Sequence, residues 1–263
     1  MLRTLFCILV AGVWTSLMFP LAILSIIVTL RPGSSMWVAR NLWSPVLLWA
    51  GGARLVVHGA ENVDPERPTI YVSNHQSTID IPALTMAVRV NFRYVAKHQL
   101  LYVPFVGWYL WLAGHILINR ANRASAVASL DRAARKIRRG ISIALYPEGT
   151  RSEGEILPFK KGPFALALEA GVAVCPVTIE GSGRLMPKNS WRITPGPIHV
   201  MIGAPISAAA FGPDDREGLS RAVRKVVIDQ SLALGGRGGD RDQAIAPPGP
   251  PGQSPVPSAG ERS

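Results

Sequence analysis

Cysteine is scarce in this chain of 263 residues, which contains only Cys7 and Cys175. Two cysteines, one inside an apolar stretch and the other inside a predicted strand, do not make a disulfide framework. Neither has a neighbouring histidine that would activate it as a nucleophile, so we interpret both as buried small side chains in a reducing compartment. The chain also lacks a Gly-x-Ser-x-Gly sequence, so nothing supports a serine nucleophile of the α/β-hydrolase type.

Acidic residues are also few: 17 Asp and Glu stand against 28 Lys and Arg, which gives a net charge of +11. Such a surface attracts anionic lipid, nucleic acid or an acidic carrier protein. The sequence has no RNP, zinc-knuckle or helix-turn-helix signature, so we predict no nucleic-acid partner. Four of the five histidines occur singly without the spacing of metal ligands, so we predict neither a metal nor another cofactor.

Hydrophobic residues make up 48% of the chain, and with a mean hydropathy of +0.21 this composition lies toward the membrane-associated side of ordinary soluble proteins. Leu5 to Leu30 carry no charge over about 26 residues, longer than the roughly 7 to 15 of a signal-peptide core, and no small-residue cleavage site follows. We therefore expect a retained anchor. Pro20 divides this stretch and a second apolar stretch, Trp43 to Gly51, follows it, so a single span and a kinked hairpin resting in one leaflet both stay open.

Arginines are distributed unequally about the anchor, since only Arg3 precedes it while Arg31, Arg40 and Arg54 follow. Positive charge collects on the cytoplasmic side of membrane segments. This distribution predicts that the rest of the chain faces the cytoplasm.

Behind the anchor, short apolar runs alternate with helical patterns, which predicts an α/β fold with a mixed sheet flanked by helices. The predicted strands are Arg54 to His58, Thr69 to Ser73, Phe92 to Ala96, His115 to Ile118, Ile141 to Tyr146, Val174 to Ile179 and Ile198 to Ile202. The clearest helices are Ala124 to Arg139, whose arginine-rich face could meet lipid headgroups or simply be solvated, and Asp214 to Leu234. We predict three parts: membrane-anchoring helices at 1–52, an α/β domain at 53–234, and a disordered Pro/Gly-rich tail at 235–263.

The first motif that can carry chemistry is Asn74-His75-Gln76-Ser77-Thr78-Ile79-Asp80, between a predicted strand and a predicted helix. Loops that follow strands commonly carry the sites of open α/β sheets. Asp80 could reach back to one ring nitrogen of His75 and leave the other free to accept a proton. Asp80 could equally be only the cap of the following helix.

The second motif is Tyr146-Pro147-Glu148-Gly149-Thr150-Arg151-Ser152. It offers a carboxylate, a flexible glycine and a guanidinium, and arginine forks match the oxygens of a phosphate group. A carboxylate would repel phosphate, so Glu148 should instead accept from a glycerol hydroxyl or hold an arginine in place. A surface turn with an incidental ion pair is the alternative.

Four ordered blocks identify a resemblance to the glycerolipid acyltransferase superfamily, and within it to the bacterial 1-acylglycerol-3-phosphate acyltransferases, over roughly Arg54 to Pro205. The blocks are the two motifs above together with Gly114-His115-Ile116-Leu117-Ile118-Asn119-Arg120 and Val174-Cys175-Pro176-Val177. Mild departures from the family pattern occur at Leu117, Asn119 and Tyr146, which could bear on donor or headgroup preference.

This resemblance implies a reaction and a set of site residues. His75, oriented by Asp80, would deprotonate the sn-2 hydroxyl of lysophosphatidate, which then attacks an acyl thioester directly, without an acyl-enzyme, and yields phosphatidate. Substrate binding would fall to Arg120, Glu148, Gly149, Thr150 and Arg151, with Lys97 assisting. The family also implies that the catalytic domain lies on the cytoplasmic face of the inner membrane, in contact with membrane lipid.

Several alternatives stay open within this resemblance. The donor could be acyl-CoA or acyl carrier protein, because a basic surface suits both acidic partners. The acceptor could be another lyso-lipid, such as a lyso-ornithine lipid or a lysophospholipid with a larger headgroup. A membrane-binding protein without activity and a lipid hydrolase are the alternatives of a different class.

Overall fold

The computed structural model describes residues 2–103, 105–119, 122–190 and 192–239. Arg120, one of the expected substrate-binding residues, and residues 240–263 of the predicted tail lie outside these ranges. The predictions for them therefore stay predictions.

The described residues form a seven-stranded sheet in the order β1-β7-β6-β2-β5-β3-β4. Neighbouring strands are parallel except for the antiparallel pair β6 and β7, so the predicted mixed sheet is confirmed. The strands are β1 (Ala53–His58), β2 (Ile70–Ser73), β3 (Phe92–Lys97), β4 (Ile116–Ile118), β5 (Ser142–Leu145), β6 (Val174–Glu180) and β7 (Gly196–Ile202). Each coincides with one of the seven predicted strands, shifted by at most a few residues at its ends.

Helices cover both faces of this sheet, as the predominantly parallel pairing requires. They are α1 (Leu2–Thr29), α2 (Ser34–Val38), α3 (Ser44–Gly51), α4 (Asp80–Ala87), α5 (Val106–Leu112), α6 (Arg123–Ile137), α7 (Gly162–Ala170), α8 (Ser182–Leu185) and α9 (Arg216–Ala233). A π-helical turn, Ala39–Trp43, joins α2 to α3.

Two hydrophobic cores lie on opposite faces of the sheet because side chains alternate along each strand. Ile70 and Val72 of β2 join one core, which α6, α7 and α9 complete. Tyr71, between them, points into the other core, which α3 and α4 complete. Cys175 is buried in this second core, and burial raises the pKa of its thiol to about 12, which makes it unreactive at neutral pH.

The N-terminal region is an antiparallel helical hairpin. Cys7 Sγ donates to the Ala50 carbonyl over 2.9 Å near one end, Trp14 Nε1 donates to the Leu42 carbonyl over 3.0 Å, and the hydroxyls of Ser25 and Ser34 lie 3.0 Å apart near the turn. Pro20, which divides the apolar stretch in the sequence, lies inside α1, and the helix continues through it. Met18 and Ala22, on either side of Pro20, are buried in one small cluster with Val38 of α2.

The α1 helix is long and apolar enough to cross a membrane, which by itself is weak evidence of membrane association. One stripe of α1 packs against the rest of the protein, and its large apolar side chains on the other side are exposed along the whole length of the helix. Whether the hairpin rests in one leaflet stays a prediction.

The ordered part of the chain extends past the domain boundary predicted at residue 234. The Ile156 N–H donates to the Gly238 carbonyl over 2.7 Å, and Gly239 forms a β-bridge with Ile156. Residues 235–239 are therefore packed against the α/β domain, unlike the disordered tail predicted to start at residue 235.

Candidate active site

The two sequence motifs meet because the strands before them are parallel neighbours. Val72 of β2 pairs with Leu145 of β5, so the loops that follow both strands leave the same edge of the sheet. The Asn74 side chain fixes the first loop to β6, since its amide donates to the Ile179 carbonyl over 2.9 Å and its oxygen accepts from the Ile179 N–H over 2.8 Å. The Ser152 N–H donates to the His75 carbonyl over 2.7 Å and ties the second loop to the first.

His75 and Asp80 form the contact that the sequence predicted. His75 Nδ1 lies 2.8 Å from Asp80 Oδ2, and the Asp80 side chain is fully buried. Oδ2 also accepts from the backbone N–H groups of Gln76 and Ser77, over 2.7 and 2.8 Å, so its position is fixed from three directions. Because a carboxylate only accepts, Nδ1 carries the proton and Nε2 keeps its lone pair. Asp80 is also the first residue of α4, so it both begins the helix and orients the histidine.

Tyr146 holds the plane of the His75 ring. The two rings stack with centroids 4.1 Å apart at an angle of 16°, and the Tyr94 ring also stacks with Tyr146, with centroids 6.4 Å apart. Sequence reasoning treated Tyr146 only as a departure from the family pattern and gave it no role at the site. The sequence feature that could have indicated such a role is the aromatic residue at the start of the second motif.

Glu148 contacts the backbone of His75 and does not line the cavity described below. Its side chain is buried, Oε1 accepts from the His75 N–H over 3.1 Å, and the carboxyl also interacts with the Leu157 backbone. Burial raises the pKa of its carboxyl to about 8, although the two backbone N–H groups oppose this shift. The contact that the structure shows for Glu148 is with the His75 backbone, and its expected contact with a glycerol hydroxyl or an arginine stays a prediction.

An apolar cavity of about 640 Å³ opens onto His75. Its far walls come from the hairpin and from α5, including Met18, Phe19, Ala22, Met36, Val106 and Leu110. Its polar end contains His75, Thr78, Lys97, Gly149, Thr150 and Arg151. A cavity of this size and lining suits a flexible hydrocarbon chain with one reactive polar end.

Four of the expected substrate-binding residues, Lys97, Gly149, Thr150 and Arg151, reach this polar end. Gly149 has φ +74°, a conformation that glycine adopts without strain, and the loop turns there. Arg151 Nη1 donates to Thr78 Oγ1 over 3.3 Å, which holds the guanidinium at the cavity rim beside the first motif. A cationic fork at the rim of an apolar cavity matches an anionic headgroup carried by an apolar chain.

A buried polar relay that the sequence did not reveal connects the site to α9. Gln76 Nε2 donates to Glu180 Oε2 over 3.1 Å, and Ser231 Oγ donates to Glu180 Oε1 over 2.6 Å. Burial raises the pKa of the Glu180 carboxyl, while these two hydrogen bonds lower it. Gln76 directly follows His75, so this relay helps to hold the backbone of the first motif.

Within the described residues, no group of three or more His, Cys, Asp or Glu side chains could hold a metal ion. The groups that converge on the cavity are a histidine with a free lone pair, its buried carboxylate and a guanidinium. This combination can move a proton and bind an anion.

Comparison with known proteins identifies the family of this chain. The Acyltransferase family model matches residues 54–180. A human 1-acyl-sn-glycerol-3-phosphate acyltransferase alpha is 32% identical over 192 residues, which cover 72% of this chain and 68% of the human protein. The crystal structure of the 1-acyl-sn-glycerophosphate (LPA) acyltransferase PlsC from Thermotoga maritima has a TM-score of 0.76 at 30% identity, and the match covers 91% of this chain and 97% of that one. The chain therefore belongs to the acyltransferase family.

Other relatives are longer than the region they share with this chain. A 1-acyl-sn-glycerol-3-phosphate acyltransferase of Chlamydomonas reinhardtii is 36% identical over 165 residues, 62% of this chain and 49% of the algal protein. A chloroplast 1-acyl-sn-glycerol-3-phosphate acyltransferase of Arabidopsis thaliana is 35% identical over 63% of this chain and 47% of its own length. The chain thus spans about half the length of these relatives.

Proposed function

We propose that this protein transfers a fatty acyl group from an acyl thioester to the sn-2 hydroxyl of 1-acylglycerol 3-phosphate and so produces phosphatidate. The single observation that carries this proposal is the 2.8 Å contact between His75 Nδ1 and the buried Asp80 carboxylate at the mouth of an apolar cavity. Relatives and a solved structure named as acyltransferases for this acceptor support it.

In the proposed reaction, His75 Nε2 accepts the proton of the sn-2 hydroxyl as the oxygen attacks the thioester carbonyl carbon. The new ester C–O bond forms, the C–S bond breaks, and the thiolate leaves and is protonated. Asp80 stabilises the imidazolium formed in the first step and keeps the ring in the required tautomer. General-base catalysis typically supplies about 10² to 10⁴ in rate, so the positioning of both substrates supplies much of the remainder.

The acceptor phosphate would bind at the rim of the cavity. Arg151 lies there with its guanidinium turned toward Thr78, and Lys97 adds a second positive charge. Arg120 is expected to contribute a third. Glu148 would position the base rather than bind the substrate, because its carboxylate accepts a hydrogen bond from the His75 N–H.

The apolar cavity would receive an acyl chain directly from a membrane. Its walls include α1, whose opposite side exposes apolar residues, so a lipid bound in the cavity would lie close to the leaflet. The arginines that follow α1 favour a cytoplasmic position for the catalytic domain at the inner membrane.

The test is thiol release from a long-chain acyl-CoA by detergent-purified protein, with lysophosphatidate, with a lysophospholipid of larger headgroup, and with no acceptor. We expect release that requires lysophosphatidate and yields phosphatidate. Faster release with another lyso-lipid would assign a different acceptor, and release of free fatty acid without any acceptor would indicate a hydrolase. Repeating the assay with acylated carrier protein identifies the donor.

A further inference from the structure

A second cavity, of about 720 Å³, lies at the opposite edge of the sheet from His75. Parallel strands begin at one edge and end at the other, and His75 follows the end of β2, whereas this cavity lies at the beginnings of β3, β4 and β5. Its walls are the turn of the hairpin at 29–34 together with Asn91, Arg93, Gly114, Lys136 and Ile141. The two cavities share none of their lining residues.

Three cationic side chains, Arg31, Arg93 and Lys136, line this second cavity, and no carboxylate does so among the residues that the structure describes. Ordinary surface cations are exposed or paired with acidic side chains. A cavity that gathers positive charge alone has the composition of an anion site.

Arg93 is the most unusual of the three because only 3% of it is exposed. Its Nη1 donates to Asn91 Oδ1 over 2.6 Å and to the Phe92 carbonyl over 3.0 Å, and its buried Nε has no hydrogen-bond partner among the described residues. No ion pair of Arg93 occurs within the described part of the chain. A buried guanidinium without a counter-ion is costly, so its positive charge requires compensation.

Lys136 and Arg93 face the same small space. A Cβ atom added to Gly114 would lie 3.1 Å from Lys136 Nζ and 3.7 Å from Arg93 Nε. Burial and the charges of Arg93 and Arg139 lower the pKa of Lys136, and burial together with Arg93 and Lys136 lowers the pKa of nearby His115 to about 3. The positive charges of Arg93 and Lys136 therefore repel each other here, and a bound anion would relieve this repulsion.

We propose that Arg31, Arg93 and Lys136 bind a phosphate group at this second cavity, separate from the site of acyl transfer. A tetrahedral anion with several acceptor oxygens can satisfy an arginine fork and an ammonium group at once. The proposal is independent of the reaction assigned to His75.

The surroundings indicate that the phosphate belongs to a lipid headgroup. Arg31 lies in the turn of the apolar hairpin, and the adjacent side chains are among the most exposed apolar ones in the described chain, with Val28 at 74% and Leu30 at 85%. Basic side chains beside an apolar membrane segment commonly bind anionic headgroups. A soluble phosphate compound shares the same chemistry, and the experiment separates the two sources.

The test uses the full chain in an uncharged detergent, titrated with dioctanoyl phosphatidylglycerol, dioctanoyl phosphatidylcholine or inorganic phosphate. The melting temperature as a function of ligand concentration gives each dissociation constant. Phosphatidylglycerol is used in place of phosphatidate, the product of the proposed reaction, and only the binding that Arg31→Gln and Lys136→Gln weaken is assigned to the second cavity. The variants are Arg31→Gln and Lys136→Gln, and the matched control is Arg135→Gln, which removes the same charge from an exposed position of α6 outside the cavity.

We expect phosphatidylglycerol to raise the melting temperature and phosphatidylcholine to have little effect. Each cavity variant should weaken binding about tenfold, the equivalent of one lost charge-assisted hydrogen bond, and the control by less than about twofold. Without ligand, Lys136→Gln should melt no lower than the native chain because it removes repulsion with Arg93. Binding of inorganic phosphate as tight as that of the lipid would assign a soluble ligand to the same site.

If Lys136→Gln and Arg135→Gln bound phosphatidylglycerol with equal affinity, the proposal would be overturned. The absence of any anion-dependent rise in melting temperature would overturn it as well.

Discussion

Replacing Glu148 distinguishes a residue that holds the base from one that binds the substrate. The His75 N–H donates to Glu148 Oε1 over 3.1 Å, so Glu148→Ala leaves this N–H without its partner in a buried loop. Glu148→Gln keeps a carbonyl oxygen at the same place and removes only the ionisable group. The two variants therefore separate the hydrogen bond from the charge.

The expected magnitudes follow from this geometry. An unpaired buried N–H costs about 1–3 kcal/mol, and the loop can relieve that cost by moving His75. A displacement of about 1 Å at a catalytic group can lower the rate about 10²-fold. We therefore expect Glu148→Ala to lower kcat about 10²-fold with little change in KM for lysophosphatidate, and Glu148→Gln to stay within about tenfold of the native kcat.

The charge of Glu148 should appear in the pH dependence of stability. Its folded pKa of about 8 lies above the ordinary value of 4.5, so the folded protein holds a proton that the unfolded chain releases. The contribution of Glu148 to the free energy of unfolding is complete below pH 4.5. It falls by about 5 kcal/mol in total as the pH rises to about 8. Glu148→Gln should abolish this loss.

Steady-state kinetics with varied lysophosphatidate, together with urea unfolding between pH 5 and 8, test both expectations. A large rise in KM with unchanged kcat in Glu148→Ala would refute the positioning role and return Glu148 to the substrate-binding residues. An unfolding free energy of Glu148→Gln with the same pH slope as that of the native protein would contradict the raised pKa.

Three further substitutions address the other parts of the site. Asp80→Asn should lower kcat about 10³-fold or more, because the amide can stabilise the wrong tautomer of His75 and cannot stabilise its imidazolium. A tenfold or smaller loss would argue against a catalytic role for the contact between His75 and Asp80. Arg151→Gln should raise KM for lysophosphatidate at least tenfold while Arg151→Lys retains part of the binding, and an unchanged KM in both would exclude this guanidinium from the phosphate site. Met18→Trp should fill part of the apolar cavity and so shift the preference toward shorter acyl chains. Competition between acyl-CoA substrates of different chain length measures this preference. An unchanged preference would mean that the acyl chain binds outside this cavity.

The sheet could be predicted from the sequence because its strands are short apolar runs bounded by polar residues. The contact between His75 and Asp80 could also be predicted, since both lie in one strand-to-helix connection. Both the strands and this contact depend mainly on residues that are close together in the sequence.

The position of Glu148 could not be predicted, because it depends on a backbone N–H of another loop that comes close only after β2 and β5 pair. The packing of α1 around Pro20 against Val38 of α2 joins two separate segments of the chain. The second cavity joins Arg31, Arg93 and Lys136 from three distant segments, and no local pattern marks them as a group. These features arise from tertiary contacts.

The most direct test of the central claim, that His75 is the base of an acyl transfer, is the lysophosphatidate-dependent rate of thiol release by His75→Ala. His98→Ala is the matched control, since His98 follows β3 and does not line the cavity. We expect His75→Ala to lose at least about 10³-fold in kcat while it still unfolds cooperatively on heating, and we expect near-native activity in the control. A folded His75→Ala protein that retains more than about a tenth of the native kcat would contradict it.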